Sequence, residues 1–331
     1  MKRLKEDPLY LELQRELAQQ GYFRPARAAY AVRTGLIVAG YAAAYAALMT
    51  ISSVPVVLVA IVTLGVLNTS LPYVGHDAGH GAVTRSRAVV DLLGHAGFTV
   101  LNGQSWAWWL HSHDNHHDFV NEWRRDLAMK YSLVIADHPA AVAARTGWTR
   151  TLARVQALYL AFLFPLYHFA MVIDGWKWML RHPRACRGDI LAYPLFLTLW
   201  FVIPFACVGW KLALVYYFST KLIGSSLIAT TFDVHHIGRR VIEDDDTLGA
   251  FRQIVEGTRT MNTWRCFDFY YHGLNFHIEH HLFPNVPCWR YRRMSELVRA
   301  FCARNGLRYR QWGFWQAQRE AFGYLHQLGR S

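Results

Sequence analysis

Four apolar stretches of about 20 residues, each long enough to cross a bilayer core, organise this chain: roughly 31–51, 54–74, 190–210 and 212–231. Short loops at 52–55 and at Trp210 and Lys211 join them in pairs. Two other apolar segments differ in kind. Residues 152–171 are interrupted by Pro165 and His168 and run into Asp174, Trp176 and Lys177, so this segment is expected to lie along the interface. Residues 89–100 are too short to span and contain Asp91 and His95, so they are expected to dip into the bilayer and return. The pattern predicts a mostly α-helical integral membrane protein with about four transmembrane helices, interfacial helices and a polar, histidine-rich cap.

Charge orients this arrangement. The 331 residues carry a formal charge of +12 although more than half are apolar, which marks a basic membrane protein. Lys and Arg gather in 2–33, in 176–187 and after Arg239, while the two short loops carry almost none, so the cap and both termini are expected to face the cytoplasm. Residues 1–30 form a basic amphipathic segment without the apolar core or cleavage site of a signal peptide, and are expected to stay attached. The five cysteines form no C-x-x-C pair and read as free thiols. No repeat or linker divides the chain, and one domain over 1–331 is expected. Trp106, Trp108, Trp109, Trp176, Trp178, Trp210, Trp264 and Trp289 fall near the expected membrane edges and read as interface anchors, with a substrate-tunnel role as the alternative for 106–109. The acidic run 243–246 reads as a solvated loop. Arg290, Arg292, Arg293, Arg308 and Arg310 read as contacts to anionic head groups, or more sharply as a dock for an acidic electron carrier; no nucleic-acid motif interleaves with them.

Three histidine clusters supply the chemistry. His76 and His80 lie in GHDAGH, His113, His116 and His117 in HDNHH, and His277, His280 and His281 in HIEHH. Residues three and four apart share a helix face, so each cluster can aim its imidazoles at a common point. Eight such side chains exceed what one four-coordinate ion uses, which implies more than one metal. The nearby acids Asp77, Asp114, Asp118 and Glu279 lie beside the histidines and suit bonds that orient an imidazole. The Glu and Glu-x-x-His pairs of soluble di-iron bundles are missing. Imidazole suits both iron and zinc, and a two-metal site at a membrane face points towards oxygen chemistry. His95, His111, His138, His168, His182, His272 and His326 read as ordinary core or interfacial residues.

An H-x-x-x-H box, an H-x-x-H-H box, and a late H-x-x-H-H box followed by Leu282-Phe283-Pro284 resemble the membrane fatty acid desaturase and hydroxylase superfamily over roughly 74–298. The resemblance implies two non-haem iron ions held almost wholly by histidine. It also implies an external electron donor, such as a ferredoxin or small haem cytochrome with its reductase, and O2 turned against an unactivated C–H bond of a fatty acyl or similar lipid. Family members take a further ligand after the last crossing, where this chain reads Thr231-Phe232-Asp233-Val234-His235-His236-Ile237-Gly238. An H-x-x-G alignment selects His235 and puts Thr231 where some members carry a ligating Asn; an acid-then-His alignment selects His236. Both stay candidates. His277 stands where front-end members that share IEHHLFP often carry Gln, so the chain resembles the broader bacterial group and a bacterial inner membrane is expected. Asn121 and Asp126 resemble a family element that holds the loop after the second box.

The function this implies is desaturation by the set His76, His80, His113, His116, His117, His235, His236, His277, His280 and His281, with no catalytic residue beyond the ligands. A hydroxylase, a ketolase or an alkene-forming decarboxylase would share them. A zinc-dependent lipid hydrolase needs about three protein ligands and a bis-histidine haem carrier two per haem, which leaves the other boxed histidines unexplained. No Gly-rich dinucleotide motif follows a strand, and His138-Pro139 lacks the Gly pair of a fused cytochrome module, so electrons are expected from another protein.

Overall fold

The computed structural model describes residues 2–131, 136–243 and 246–330. Asp244 and Asp245, in the acidic run read above as a solvated loop, lie outside the described residues. Helices dominate. The strands described, Thr260–Met261 and Gln311–Trp312, pair in parallel. Five helices are long and apolar enough to cross a membrane: Arg27–Thr50, Val54–Gly79, Gly147–Arg181, Arg187–Val208 and Trp210–His236. The third is the segment expected at the interface. Pro165 does not end it; a 3-10 turn over Phe164–Leu166 carries the chain on, and the apolar run therefore reaches spanning length.

The chain divides into two compact units: Met1–Arg24, Ser112–Leu163 and Thr230–Ser331 form one, Pro25–His111 and Phe164–Ala229 the other. The first is called here the histidine unit and the second the apolar unit.

The histidine unit is built around the third box. His277–Leu282 and the Phe283 and Val286 that follow it are buried in a core with Phe251, Tyr291, Met294, Val298 and Phe301. The N-terminal segment joins this core rather than standing apart from it. Pro8 at the first turn and Asp7 as N-cap start the helix Pro8–Gln19. Leu13 and Leu17, one turn apart, are fully buried, and Tyr10 stacks on Phe283 at 4.9 Å. Asp7 serves two helices: Oδ1 accepts from Leu9 N at 3.0 Å and Oδ2 from Phe251 N at 3.0 Å, near the start of Ala250–Gly257. Arg290 Nη1 donates to the carbonyls of Tyr22 and Arg24, each at 2.6 Å, and Arg292 pairs with Asp268. These two arginines of the basic tail are thus tied inside their own unit. Gly147–Leu163 also packs here, with Ala153, Gln156 and Leu160 buried.

Two of the fully buried charged groups in the apolar unit, Lys221 and Asp189, serve the segment that precedes the second box. Lys221 Nζ donates to Asn68 Oδ1 (3.2 Å), Leu101 O (2.5 Å) and Asn102 Oδ1 (3.0 Å), which uses all three of its hydrogens. Asp189 accepts from Thr99 Oγ1 (2.7 Å), Ser105 Oγ (2.8 Å), Trp106 N (2.8 Å) and Ala107 N (3.2 Å), and so caps the helix Trp106–Asp118 from a different element. The segment expected to dip forms a helix, Arg87–Gly94, followed by a wide π turn, His95–Val100. It packs on Val54–Gly79 so closely that a Cβ on Gly97 would meet Pro72 N at 2.8 Å. Trp106 is buried and stacks on Trp109 at 5.2 Å, making both part of this core.

Candidate metal centre

Within the histidine unit, four imidazoles converge. His116, His236, His277 and His281 each offer a ring nitrogen, and these nitrogens all lie within 4.8 Å of one another. They come from three elements: the second-box helix, the end of Trp210–His236, and the third-box helix. The i, i+4 spacing puts His277 and His281 on one face of their helix, as expected.

The outer nitrogens decide which atoms face inward. His116 Nδ1 donates to the Asp126 carboxylate at 2.9 Å, His236 Nδ1 to Gly257 O at 3.3 Å, and His277 Nδ1 to Leu274 O at 3.0 Å. A carboxylate or carbonyl only accepts, so each of these Nδ1 atoms carries its proton, and in the neutral tautomer each ring turns Nε2 to the centre. The Nε2 atoms of His281 and His236 are 3.3 Å apart, while His281 Nδ1 is buried without a partner. Burial and the neighbouring His277 and His116 rings hold His281 well below the usual imidazole value, so it too is neutral. A cation suits such a convergence, and two imidazole nitrogens on one ion, each about 2.1 Å from it, lie up to about 4.2 Å apart. The nest fits a metal after an inward shift of a few tenths of an ångström, and its Nδ1 bonds are those that fix a metal-binding tautomer.

A second convergence lies beside it in the same unit. His117 Nε2 is 3.1 Å from His113 Nε2 and 3.0 Å from His280 Nε2, and the His117 ring sits 4.4 Å from that of His281. In the apolar unit, His76 and His80 close the helix Val54–Gly79 with their rings 4.8 Å apart; His76 Nδ1 bonds Asp77 Oδ1 at 3.0 Å, and Tyr30 Oη donates to Asp77 Oδ2 at 2.5 Å.

His235 lies apart from these convergences. It is fully buried, but its Nδ1 donates to Arg259 O at 2.8 Å and its ring stacks face to face on His277 at 4.3 Å, outside the four-nitrogen nest. Successive helical residues point about 100° apart, so neighbouring histidines aim at different places, and of the two candidates His236 is the one in the nest. Thr231 is buried and shares a hydrogen bond with Tyr271.

The surrounding acids sort differently from expectation. Asp77 and Asp126 hold histidines, whereas Asp114 and Asp118 are exposed. Glu279, though between two boxed histidines, turns to Thr260 Oγ1 (2.8 Å) and Tyr309 Oη (2.7 Å), and burial pushes its carboxyl up to about 7 against the opposing pull of those two hydrogen bonds. Asn121, in a left-handed turn at φ 54°, ties the second-box loop to the others by donating to the carbonyls of His236 (3.3 Å), Arg240 (3.2 Å) and Gly257 (3.0 Å). Thr260, Tyr309 and the carbonyls of Gly257 and Leu274 were not legible as site residues. Their signal is spatial, and carbonyls carry no sequence identity.

A family model described as fatty acid desaturase matches residues 52–313. The chain is 24% identical to an acyl-lipid (8-3)-desaturase of Rebecca salina over 97% of its own length and 75% of the relative. It is 26% identical to the Delta(8)-fatty-acid desaturase 2 of Arabidopsis thaliana, over 78% of this chain and 61% of that protein. A Delta 8-(E)-sphingolipid desaturase of Emericella nidulans is 23% identical over 82% of this chain and 54% of its own length. The chain therefore spans less than two thirds of the last two. These relatives are eukaryotic, and the bacterial setting expected above finds no support in them.

Proposed function

This chain belongs to the fatty acid desaturase family, and we propose that it is a membrane-bound oxidoreductase that introduces a double bond into a fatty acyl or similar long apolar chain. The observation that carries the reading is the nest of His116, His236, His277 and His281, whose inward lone pairs call for a cation. These four would hold one iron ion, and His113, His117 and His280 beside them would supply ligands to a second; His76 and His80 stay in the proposed ligand set on their H-x-x-x-H spacing. With iron bound, the centre supplies the redox chemistry by which O2, two electrons and two protons remove two hydrogens from adjacent methylenes and leave as two waters.

The chain's own part is orientation. Asp126 and the carbonyls of Gly257 and Leu274 keep each Nδ1 protonated and each ring fixed, and Asn121 holds the loops that carry two of those contacts. Neutral ligands leave the ions strongly positive. Which C–H bond reacts is set by where the substrate is held, so geometry rather than an acid or base decides the product. Electrons come from an external ferredoxin or small haem cytochrome with its reductase. The distribution of Lys and Arg turns the histidine unit to the cytoplasm.

The test is lipid mass spectrometry on aerobic cells that express the wild type or His280→Ala together with a ferredoxin reductase, paired with metal analysis of the purified proteins. A new double bond made only by the wild type, with iron bound, is the expected result. A new hydroxyl or a lost carboxyl carbon would move the reaction within the family. Bound zinc without iron, with oxygen-independent lipid hydrolysis, would overturn the reading.

A further inference from the structure

The two-stranded ladder of the histidine unit has a directional consequence. Thr260 pairs with Gln311 and Met261 with Trp312 in parallel, so the segments that follow the two strands leave from the same end. Three residues beyond each strand stands a tryptophan: Trp264 after Met261 and Trp315 after Trp312. They are 77% and 81% exposed, exceptional for the largest apolar side chain. Trp264 opens the helix Arg265–Tyr270, none of whose residues is buried, and Phe269 within it is 66% exposed.

This outer face is displayed on a fixed base. Asp268, on the same helix, accepts from Asn275 Nδ2 at 2.9 Å and pairs with Arg292, and Tyr271 just beyond the helix is buried. The Trp264 and Phe267 rings lie 6.0 Å apart. An anchored element that presents aromatic side chains outward has an unmet apolar face, which a water-facing surface avoids. Its charge is one-sided as well: Arg265 is exposed, while Asp268, the one acid of Arg265–Tyr270, is neutralised by Arg292.

We propose that this face, Trp264, Arg265, Phe267 and Phe269 with Trp315 beside them, seats the histidine unit on the lipid head-group boundary of the bilayer that the chain's own apolar helices cross. Indole is half apolar and half hydrogen-bonding, and arginine pairs with lipid phosphate, which is the chemistry of that boundary. The bilayer is continuous with the membrane helices of the same polypeptide, so the contact forms at the effective concentration of a tethered site. The proposal goes beyond the proposed chemistry and stands whether or not the centre desaturates.

Cys266, exposed in the middle of the face, is a native reporter; Cys207 is the other exposed cysteine, and Cys186, Cys288 and Cys302 are buried. A spin label on Cys266 in the full chain carrying Cys207→Ser, in nanodiscs of mixed zwitterionic and anionic lipid, reads depth by its collisions with O2 against a water-soluble nickel complex. The expected result is collision with O2 in excess of nickel, reversed when Trp264→Ser and Trp315→Ser are combined. Nickel in excess with both tryptophans present would place the face in water. Low collision with both reagents would place it against protein. Either outcome, or an unchanged depth in the double variant, overturns the proposal.

Discussion

The two units bury polar groups in opposite ways. In the apolar unit, Lys221 and Asp189 are as deeply buried as any charge in a protein, yet each hydrogen of the ammonium has an acceptor and the carboxylate receives four donors. In the histidine unit, His116, His236 and His277 have their outer nitrogens equally well satisfied, but their inner ones point at one another. Burial alone does not separate structure from chemistry. The residual valence does: a buried polar group with all its bonds made is a rivet, and a set whose bonds converge on the same space is a receptor for what fills it.

Four changes break or sharpen this contrast. The largest effect is expected from His281→Ala: bound metal and turnover are lost together, while the protein remains in the membrane and its thermal unfolding in detergent moves little. Metal analysis beside calorimetry checks it, and a variant that keeps full metal would erase the distinction. Asp189→Ala should do the reverse, removing about 3 kcal/mol or more of stability by stranding four buried donors. Chemical denaturation measures this; wild-type stability would show that the carboxylate is no rivet. Lys221→Met strands the amide oxygens of Asn68 and Asn102, Leu101 O keeping Trp200 Nε1, but also removes a costly buried ammonium, so a net loss of about 2 kcal/mol is expected by the same assay.

The smallest effect concerns Asp137, half-buried in the histidine unit, whose carboxyl burial pushes up to about 6, with Asp126 adding to the rise. A folded-state value above the ordinary carboxylate value of 3.8 means that its contribution favours folding below about pH 4 and is lost as pH rises through about 6. Asp137→Asn should therefore be more stable than wild type at pH 7 by about 1 kcal/mol and lose that advantage at pH 4. Melting temperatures of the two proteins across that range decide it, and parallel profiles would show that Asp137 is solvated.

Much of the centre could be read from sequence because its information is local. Histidines three and four apart on a helix must share a face wherever the helix goes, so the three boxes announced themselves. The fourth contribution was ambiguous because His235 and His236 are neighbours, and the sequence does not say which of them turns to His116 and His281. The apolar helices were legible by length, except where Pro165 suggested a break that the chain bridges with a 3-10 turn. The partners of charged residues were not legible. Arg290 and Arg292 look like free surface charge in the sequence, and nothing near them foretells the carbonyls of Tyr22 and Arg24 or the carboxylate of Asp268.

The N-terminal helix imposes an order in time. Asp7 closes a hydrogen bond to Phe251, 244 residues away, and Tyr10 lies on Phe283. The helix Pro8–Gln19 thus has no resting place until Phe251 and Phe283 have been made. During synthesis Leu13 and Leu17 stay uncovered through the insertion of every apolar helix, a long exposure for a segment built to be buried. The helix made early is docked late, so the assembly of the histidine unit doubles back on the order of its synthesis.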